Sequence, residues 1–222
     1  GLGVATVAAC TIFAAISGSS VATALTIGSA AIPQMLRYGY APRVAYGVVG
    51  AGGTLGILIP PSAPMVLFGV VSDTSIGALF MAGVVPGFMM AALFAVYCMW
   101  SATGKSAGRE KRASLDEALA AIRKSIWSLS LPPLILGGMY FGVFTATEAA
   151  GAGALAALLI ATLVYRSLDL RGIRDAARDA ARTSAMLFMI LIGAALFGHV
   201  LTKLRIPAQL VDLVTAYGHT WL

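Results

Sequence analysis

Two long uncharged stretches open the chain, and neither has the length of an ordinary membrane crossing. Residues 1–36 contain no Asp, Glu, Lys or Arg. As one helix they would extend ~54 Å, against a hydrocarbon core of ~30 Å, whereas two full crossings need ~40 residues and a turn. We therefore predict a re-entrant helical hairpin over 1–36, whose tip is the polar sequence Ser-Gly-Ser-Ser at 17–20.

The second stretch, 44–72, is also uncharged and would be ~44 Å long as one helix. Glycines recur between 50 and 56, and Pro60-Pro61 follows. Because proline has no N–H and clashes with the preceding turn, we predict a discontinuous transmembrane helix over 44–72. Non-helical backbone at membrane depth is tolerated only against protein or a watery cavity, so the tip and this break are the candidate binding elements.

Apolar and polar stretches alternate along the rest of the chain. The pattern predicts a transmembrane helix at 76–101, an amphipathic surface helix at 105–124, two transmembrane helices within 125–165, a second surface helix at 166–182, a transmembrane helix at 183–202 and a tail at 203–222. Counting crossings puts every Lys and Arg except Lys203 and Arg205 on one side, which is therefore the cytoplasmic side. The tail then lies on the periplasmic side.

Composition assigns the chain to a broad class. Hydrophobic residues make up 59% and charged residues 11% of its 222 residues, and the mean hydropathy is +0.89. These values indicate an all-α integral membrane protein, a bundle of helices, because the apolar runs are too long for β-barrel strands. The net charge of +6 is explained by basic loops and requires no nucleic-acid partner. We expect 1–222 to form one membrane domain, as a fragment of a longer protein.

No enzyme signature is present: the tip serines have no nearby base, and neither metal-ligand spacing nor a nucleotide fingerprint occurs, so we expect no organic cofactor. A helix that stops inside the membrane instead leaves backbone groups for ligands. Carbonyls at a helix C-terminus suit a hard cation such as Na⁺, and N–H groups at an N-terminus suit an anion. The alternative is that the tip is a helix-packing motif and the prolines form a structural kink.

Two ionisable residues lie in later apolar segments. Glu148 follows Thr145 at capping-box spacing, so we expect a helix cap in preference to a functional intramembrane acid. His199 lies near the end of its segment, where an interfacial or packing role is favoured over proton relay.

Four segments together resemble the large permease subunit of the tripartite ATP-independent periplasmic (TRAP) transporters. These are Phe13–Val21 (FAAISGSSV), Ile27–Pro33 (IGSAAIP), Gly52–Ser62 (GGTLGILIPPS) and Phe144–Ala150 (FTATEAA). The resemblance covers essentially the whole chain, with the four motifs in family order. One departure is Ala146, where the family often has proline.

The resemblance implies a multi-pass secondary transporter of the bacterial inner membrane, built as an inverted repeat of which this chain holds one half. It would import organic anions, such as C4-dicarboxylates or sugar acids, by an elevator-type mechanism coupled to Na⁺. Its implied partners are a small membrane subunit and a periplasmic solute-binding protein. A different ion-coupled anion symporter that needs no binding protein, and a non-transporting membrane scaffold, remain alternatives.

The same resemblance implies site residues. The implied Na⁺ ligands are Ser17 and Ser19 with backbone oxygens around Gly56, Ile59 and Pro61. The residues expected near the substrate are Ser20, Thr54 and Ser62.

Overall fold

The computed structural model describes residues 1–101 and 114–216, and every regular element among them is helical. The helices are α1 Leu2–Ser17, α2 Ser20–Arg37, α3 Pro42–Leu58, α4 Ala63–Ser72, α5 Ile76–Ser101, α6 Leu115–Leu129, α7 Leu131–Tyr140, α8 Ala146–Leu159, α9 Leu170–Lys203 and α10 Ile206–Ala216. The all-α membrane class predicted from composition is confirmed. The chain divides into two compact units, Gly1–Ser167 and Leu168–Leu222.

Within the described residues, four segments are long and apolar enough to cross a membrane: Pro42–Ser72, Ile76–Ser101, Ala146–Val164 and Leu170–Lys203. The first comprises α3 and α4 with the break between them, and the third continues α8 through a π-helical turn at Ile160–Val164. Helix α1 has 16 residues, so it extends ~24 Å and is shorter than a ~30 Å hydrocarbon core. The re-entrant placement of the hairpin stays a prediction.

The core of the first unit is formed by α1, α3 and α5, with α2 packed on α1 and α3. Val7 and Ala14 of α1 meet Val48 and Leu55 of α3 there, and each of these side chains is buried. Lipid tails are as apolar as these side chains, so in a bilayer the two helices are held together by van der Waals packing and not by the exclusion of water. The hairpin is therefore fixed along the length of α3, which brings its tip to the α3–α4 break.

The surface helix predicted over residues 105–124 is described only in part. Residues 102–113 lie outside the described residues, and α6 continues past 124 to Leu129. Helix α6 begins with a capping box, since Ser114 Oγ accepts from Glu117 N at 3.1 Å and Ser114 N donates to Glu117 Oε2 at 2.9 Å.

The prediction of two complete transmembrane helices within 125–165 needs correction. Helix α7 has 10 residues, about 15 Å, because Pro132 and Pro133 occupy its first turn and separate it from α6 at Ser130. Only the second segment of this pair, Ala146–Val164, has the length and hydropathy of a crossing.

The predicted division of 166–202 into a surface helix at 166–182 and a separate transmembrane helix at 183–202 is wrong. Helix α9 runs unbroken over 34 residues, from Leu170 to Lys203. The junction, Ala180-Ala181-Arg182-Thr183, contains neither glycine nor proline. A change from polar to apolar side chains leaves the backbone hydrogen bonds intact, so it does not end a helix. The tail predicted at 203–222 contains α10, and 217–222 lie outside the described residues.

Candidate functional site

At the hairpin tip, residues 17–20, only Gly18 and Ser19 lie between the two helices. Helix α1 ends at Ser17, Gly18 adopts a left-handed conformation with φ 61°, and Ser19 is the N-cap of α2. Ser19 Oγ accepts a hydrogen bond from Ala22 N at 3.3 Å, which satisfies one free donor of the first turn of α2. Glycine permits the positive φ at low cost, so the chain reverses here without strain.

The α3–α4 break is produced by the two prolines. Pro60 and Pro61 have no N–H, so the carbonyls of Gly56 and Ile57 lose the donors that an uninterrupted helix would supply. Ser62 replaces one of them, because its Oγ donates to Ile57 O at 2.5 Å. Pro60 has no N–H to donate to the Gly56 carbonyl, which is therefore a candidate ligand.

The tip and the break are in direct backbone contact. A Cβ placed on Gly56 would lie 2.7 Å from Ser19 O and 2.8 Å from Ser20 N. A Cβ on Gly18 would collide with the carbonyl oxygen of Pro61. Neither position has room for a side chain. Glycine at these two positions therefore brings the end of α1 and the end of α3 together.

The contact brings together helix ends of both polarities. The C-termini of α1 and α3 lie here, and so do the N-termini of α2 and α4. Each helix end carries the equivalent of about half a charge, negative at the C-terminus and positive at the N-terminus. Residues 1–36 and 44–72 contain no Asp, Glu, Lys or Arg. The two segments therefore contribute only backbone and hydroxyl groups to the polar character of the contact.

The predicted ion ligands occupy this contact. Ser17, Ser19 and Gly56 are neighbours in it, and the Pro61 carbonyl faces Gly18. The Ile59 side chain is buried, 4% exposed, and its N–H donates to Leu55 O at 2.8 Å. Ser19 O already accepts from Thr23 N at 3.0 Å and from Thr23 Oγ1 at 2.7 Å. The oxygen of Ser19 that is left for a ligand is therefore its Oγ.

The three residues predicted near the substrate are placed differently from one another. Ser20 lies in the contact through its backbone. Thr54 is exposed on α3, and its hydroxyl donates to Ala51 O at 2.7 Å. Ser62 is only 1% exposed, and its proton is engaged by Ile57 O. The structure thus groups Ser20 and Ser62 with the tip and the break, and it leaves Thr54 on an outer face.

A cavity of about 440 Å³ adjoins one side of the contact. The tip contributes Ser17 and Gly18, the break contributes Pro61 and Ser62, and residues of α1, α4, α5, α7 and α8 supply the remaining walls. These walls are mainly apolar, and Thr147 adds a third hydroxyl-bearing residue. Its volume falls within the range of small-molecule sites, ~300–1,000 Å³.

Glu148 caps α8 as predicted. Its Oε2 accepts from Thr145 N at 2.8 Å and from Thr145 Oγ1 at 2.9 Å, and Thr145 Oγ1 accepts from Glu148 N at 3.3 Å. This reciprocal arrangement is a capping box. His199 lies within α9, in the second unit.

One residue of the contact was not identified from the sequence. Thr23 is completely buried, and its hydroxyl bonds to both Ser17 and Ser19. The available signal was its position four residues after Ser19, where a threonine hydroxyl reaches the backbone carbonyl of the preceding turn.

Comparison with known proteins identifies the family. The family model described as "Tripartite ATP-independent periplasmic transporter, DctM component" matches residues 1–222. The C4-dicarboxylate TRAP transporter large permease protein DctM of Pseudomonas aeruginosa is 44% identical over 218 residues, covering 98% of this chain and 51% of that protein. The ectoine TRAP transporter large permease protein TeaC of Halomonas elongata is 37% identical, with coverages of 96% and 50%.

A third relative carries a different substrate name. The isethionate TRAP transporter permease protein DctMQ of Oleidesulfovibrio alaskensis is 37% identical, covering 96% of this chain and 34% of that protein. The chain thus spans about half the length of the first two relatives and a third of the last. The match along its whole length shows that this multi-pass membrane chain belongs to the DctM family of TRAP transporter permease components.

Proposed function

We propose that this chain forms about half of the large permease of a Na⁺-coupled transporter that imports an organic anion across the bacterial inner membrane. The observation that carries the proposal is the contact between the hairpin tip and the α3–α4 break. Two helix C-termini and two helix N-termini meet there, and the two segments that form the contact, 1–36 and 44–72, contain no Asp, Glu, Lys or Arg.

The dipoles favour joint binding of a cation and an anion. Two C-termini supply the equivalent of about one negative charge, and two N-termini about one positive charge. Na⁺ would use Ser17 Oγ, Ser19 Oγ and the carbonyls near Gly56, Ile59 and Pro61. A carboxylate would use free N–H groups at the starts of α2 and α4. These are partial dipole charges and not charged side chains, so a bound cation and a bound anion also stabilise each other, as coupled transport requires.

The substrate class is the coarsest part of the proposal. The relatives are named for C4-dicarboxylates, ectoine and isethionate, so substrate identity varies within the family. We propose an organic anion of the C4-dicarboxylate or sugar-acid class, delivered by a periplasmic solute-binding protein. A small membrane subunit would complete the permease, and transport would follow an elevator-type movement. The fused name DctMQ of one relative is compatible with a closely associated second membrane component.

The test is uptake by the complete transporter in proteoliposomes, with its binding protein and an imposed Na⁺ gradient. Ser17→Ala and Ser19→Ala should each raise the Na⁺ concentration for half-maximal uptake by about tenfold, since each removes one proposed ligand. Ser29→Ala is the matched control in the same hairpin, because Ser29 Oγ donates only to Thr26 O, at 2.9 Å, on an exposed face. Wild-type Na⁺ dependence in both tip variants would refute the assigned ligands.

A second arm separates the alternative transporter class. Uptake that persists at the full rate without the binding protein would favour an ion-coupled symporter that works alone. A scaffold without transport activity would give no Na⁺-dependent uptake and would tolerate bulky residues at the tip.

A further inference from the structure

Thr23 occupies a central position behind the hairpin tip. It lies one turn into α2 and is 0% exposed. Its Oγ1 is 2.7 Å from the carbonyl oxygen of Ser19 and 3.1 Å from Ser17 Oγ. One buried hydroxyl thus connects the last residue of α1 with the N-cap residue of α2.

The direction of these two hydrogen bonds follows from counting protons. A threonine hydroxyl has one proton to donate, and a carbonyl oxygen can only accept. The 2.7 Å bond to Ser19 O therefore uses the proton of Thr23. In the 3.1 Å bond Thr23 Oγ1 is then the acceptor, so Ser17 is the donor.

The remaining alternative for the Ser17 proton is weaker. Ser17 Oγ is also 3.5 Å from Ser19 O. That carbonyl already accepts from Thr23 N at 3.0 Å and from Thr23 Oγ1 at 2.7 Å. Both of its lone pairs are engaged by shorter bonds, so Thr23 is the favoured acceptor for Ser17.

The consequence is that Ser17 presents oxygen and not hydrogen to the tip contact. Its proton is directed at Thr23, and one lone pair receives the long bond from Ser19 N at 3.4 Å. One lone pair remains free. A cation requires a lone pair, and a hydroxyl proton directed at it would repel it.

We propose that Thr23 is a positioning residue of the ion site, which it never touches. It takes up the proton of Ser17, so that the Ser17 lone pair is available to Na⁺. It also holds the Ser19 carbonyl in the place where it packs against Gly56. This inference rests on the proposed function, because it assigns a role to Thr23 only through the Na⁺ site.

Thr23→Val and Thr23→Ser separate the hydroxyl from the shape of the side chain. Valine keeps the volume and removes the acceptor, so the Ser17 proton becomes free to point at the ion. We expect the Na⁺ concentration for half-maximal uptake to rise about tenfold in Thr23→Val, while the maximal rate at saturating Na⁺ stays within about twofold of wild type. Thr23→Ser restores the hydroxyl and should return the half-maximal concentration to within about threefold.

The matched control is Thr11→Val in α1 of the same hairpin. Thr11 is partly buried, and its Oγ1 donates to Val7 O at 2.9 Å, within its own helix. Thr11→Val should leave the Na⁺ dependence unchanged. The thermal midpoint of the purified complete transporter, measured in Na⁺ and in choline, provides a second readout. Thr23→Val should reduce the stabilisation by Na⁺ more than it lowers the midpoint in choline.

The outcomes are distinguishable from those of the proposed function. If Ser17→Ala shifts the Na⁺ dependence but Thr23→Val does not, the role of Thr23 is refuted and the ion site stands. Equal impairment of Thr23→Val and Thr23→Ser, or a loss of stability that is the same in Na⁺ and choline, would reduce Thr23 to a packing residue. If wild-type uptake is independent of Na⁺, the proposed function fails and this inference fails with it.

Discussion

Replacing Gly56 with alanine should separate the hairpin tip from the α3–α4 break. The added Cβ would lie 2.7 Å from the carbonyl carbon and oxygen of Ser19 and 2.8 Å from Ser20 N. All three neighbours are backbone atoms, so no side-chain rotation can relieve the overlap. The hairpin as a whole must move.

The size of the movement follows from ordinary contact distances. Non-bonded carbon atoms pack at about 3.5 Å, so tip and helix must part by about 0.8 Å. Overpacking of this kind costs about 1–3 kcal/mol, and the higher helix propensity of alanine offsets about 0.5–1 kcal/mol of that. Binding constellations tolerate displacements of about 0.5 Å. We therefore expect Gly56→Ala to lower Na⁺-dependent uptake at least about tenfold, with a modest loss of stability.

Gly50→Ala is the matched control in the same helix. A Cβ on Gly50 would meet no atom within 4 Å, so this variant gains about 0.5–1 kcal/mol from helix propensity and has no overlap. Both variants are measured in the complete transporter, by uptake in proteoliposomes and by thermal unfolding with and without Na⁺. Uptake by Gly56→Ala at the level of Gly50→Ala would refute the backbone contact on which the site is built.

The remaining predictions concern single hydrogen bonds, and thermal unfolding tests each of them. Thr145→Ala removes half of the capping box of α8 and should lower the free energy of unfolding by about 0.5–2 kcal/mol without altering the Na⁺ dependence of uptake. A shift in the Na⁺ dependence would mean that the cap also contributes to the ion site. Ser62→Ala leaves the Ile57 carbonyl without its donor and should cost about 1–3 kcal/mol, whereas wild-type stability would show that another donor replaces it. Tyr165→Phe removes the hydrogen bonds of its hydroxyl to Lys124 O at 3.0 Å and Ser128 Oγ at 3.2 Å and should lower the free energy of unfolding by about 1–2 kcal/mol. An unchanged stability would indicate that the two partner atoms are hydrogen-bonded equally well by solvent.

The interruptions of the first two segments could be predicted because their sequence signals are local. A polar glycine-containing tetrapeptide inside an uncharged run, and two adjacent prolines, each break a helix whatever surrounds them. The helices are interrupted at Gly18 and at 59–62, which lie within the predicted stretches 1–36 and 44–72. The capping boxes at Ser114 and Thr145 are equally local, and both were predictable.

Elements without such signals were less predictable. Charge patterning divided 166–202 into a surface helix and a crossing, whereas the backbone of α9 is continuous. Charge determines which solvent a helix face prefers, and it does not determine where the backbone hydrogen bonds stop. The end of α6 at Leu129 was misplaced for the same reason, since the polar-to-apolar change at 125 precedes the first proline at 132.

The candidate site likewise contains residues with a local sequence signal and residues whose role depends on packing. Ser17 and Gly56 could be singled out as residue types at a tip and near a break, but their contact depends on how α1 packs along α3 through Val7, Ala14, and Leu55. Thr23 carries no conspicuous chemistry, because a threonine inside an apolar helix ordinarily bonds only to its own backbone. Its significance arises when the fold brings a second hydroxyl within 3.1 Å of it. A proposed ligand such as Ser17 is thus visible in the sequence as a residue type, whereas the residue proposed to orient its proton becomes visible only when the distances are known.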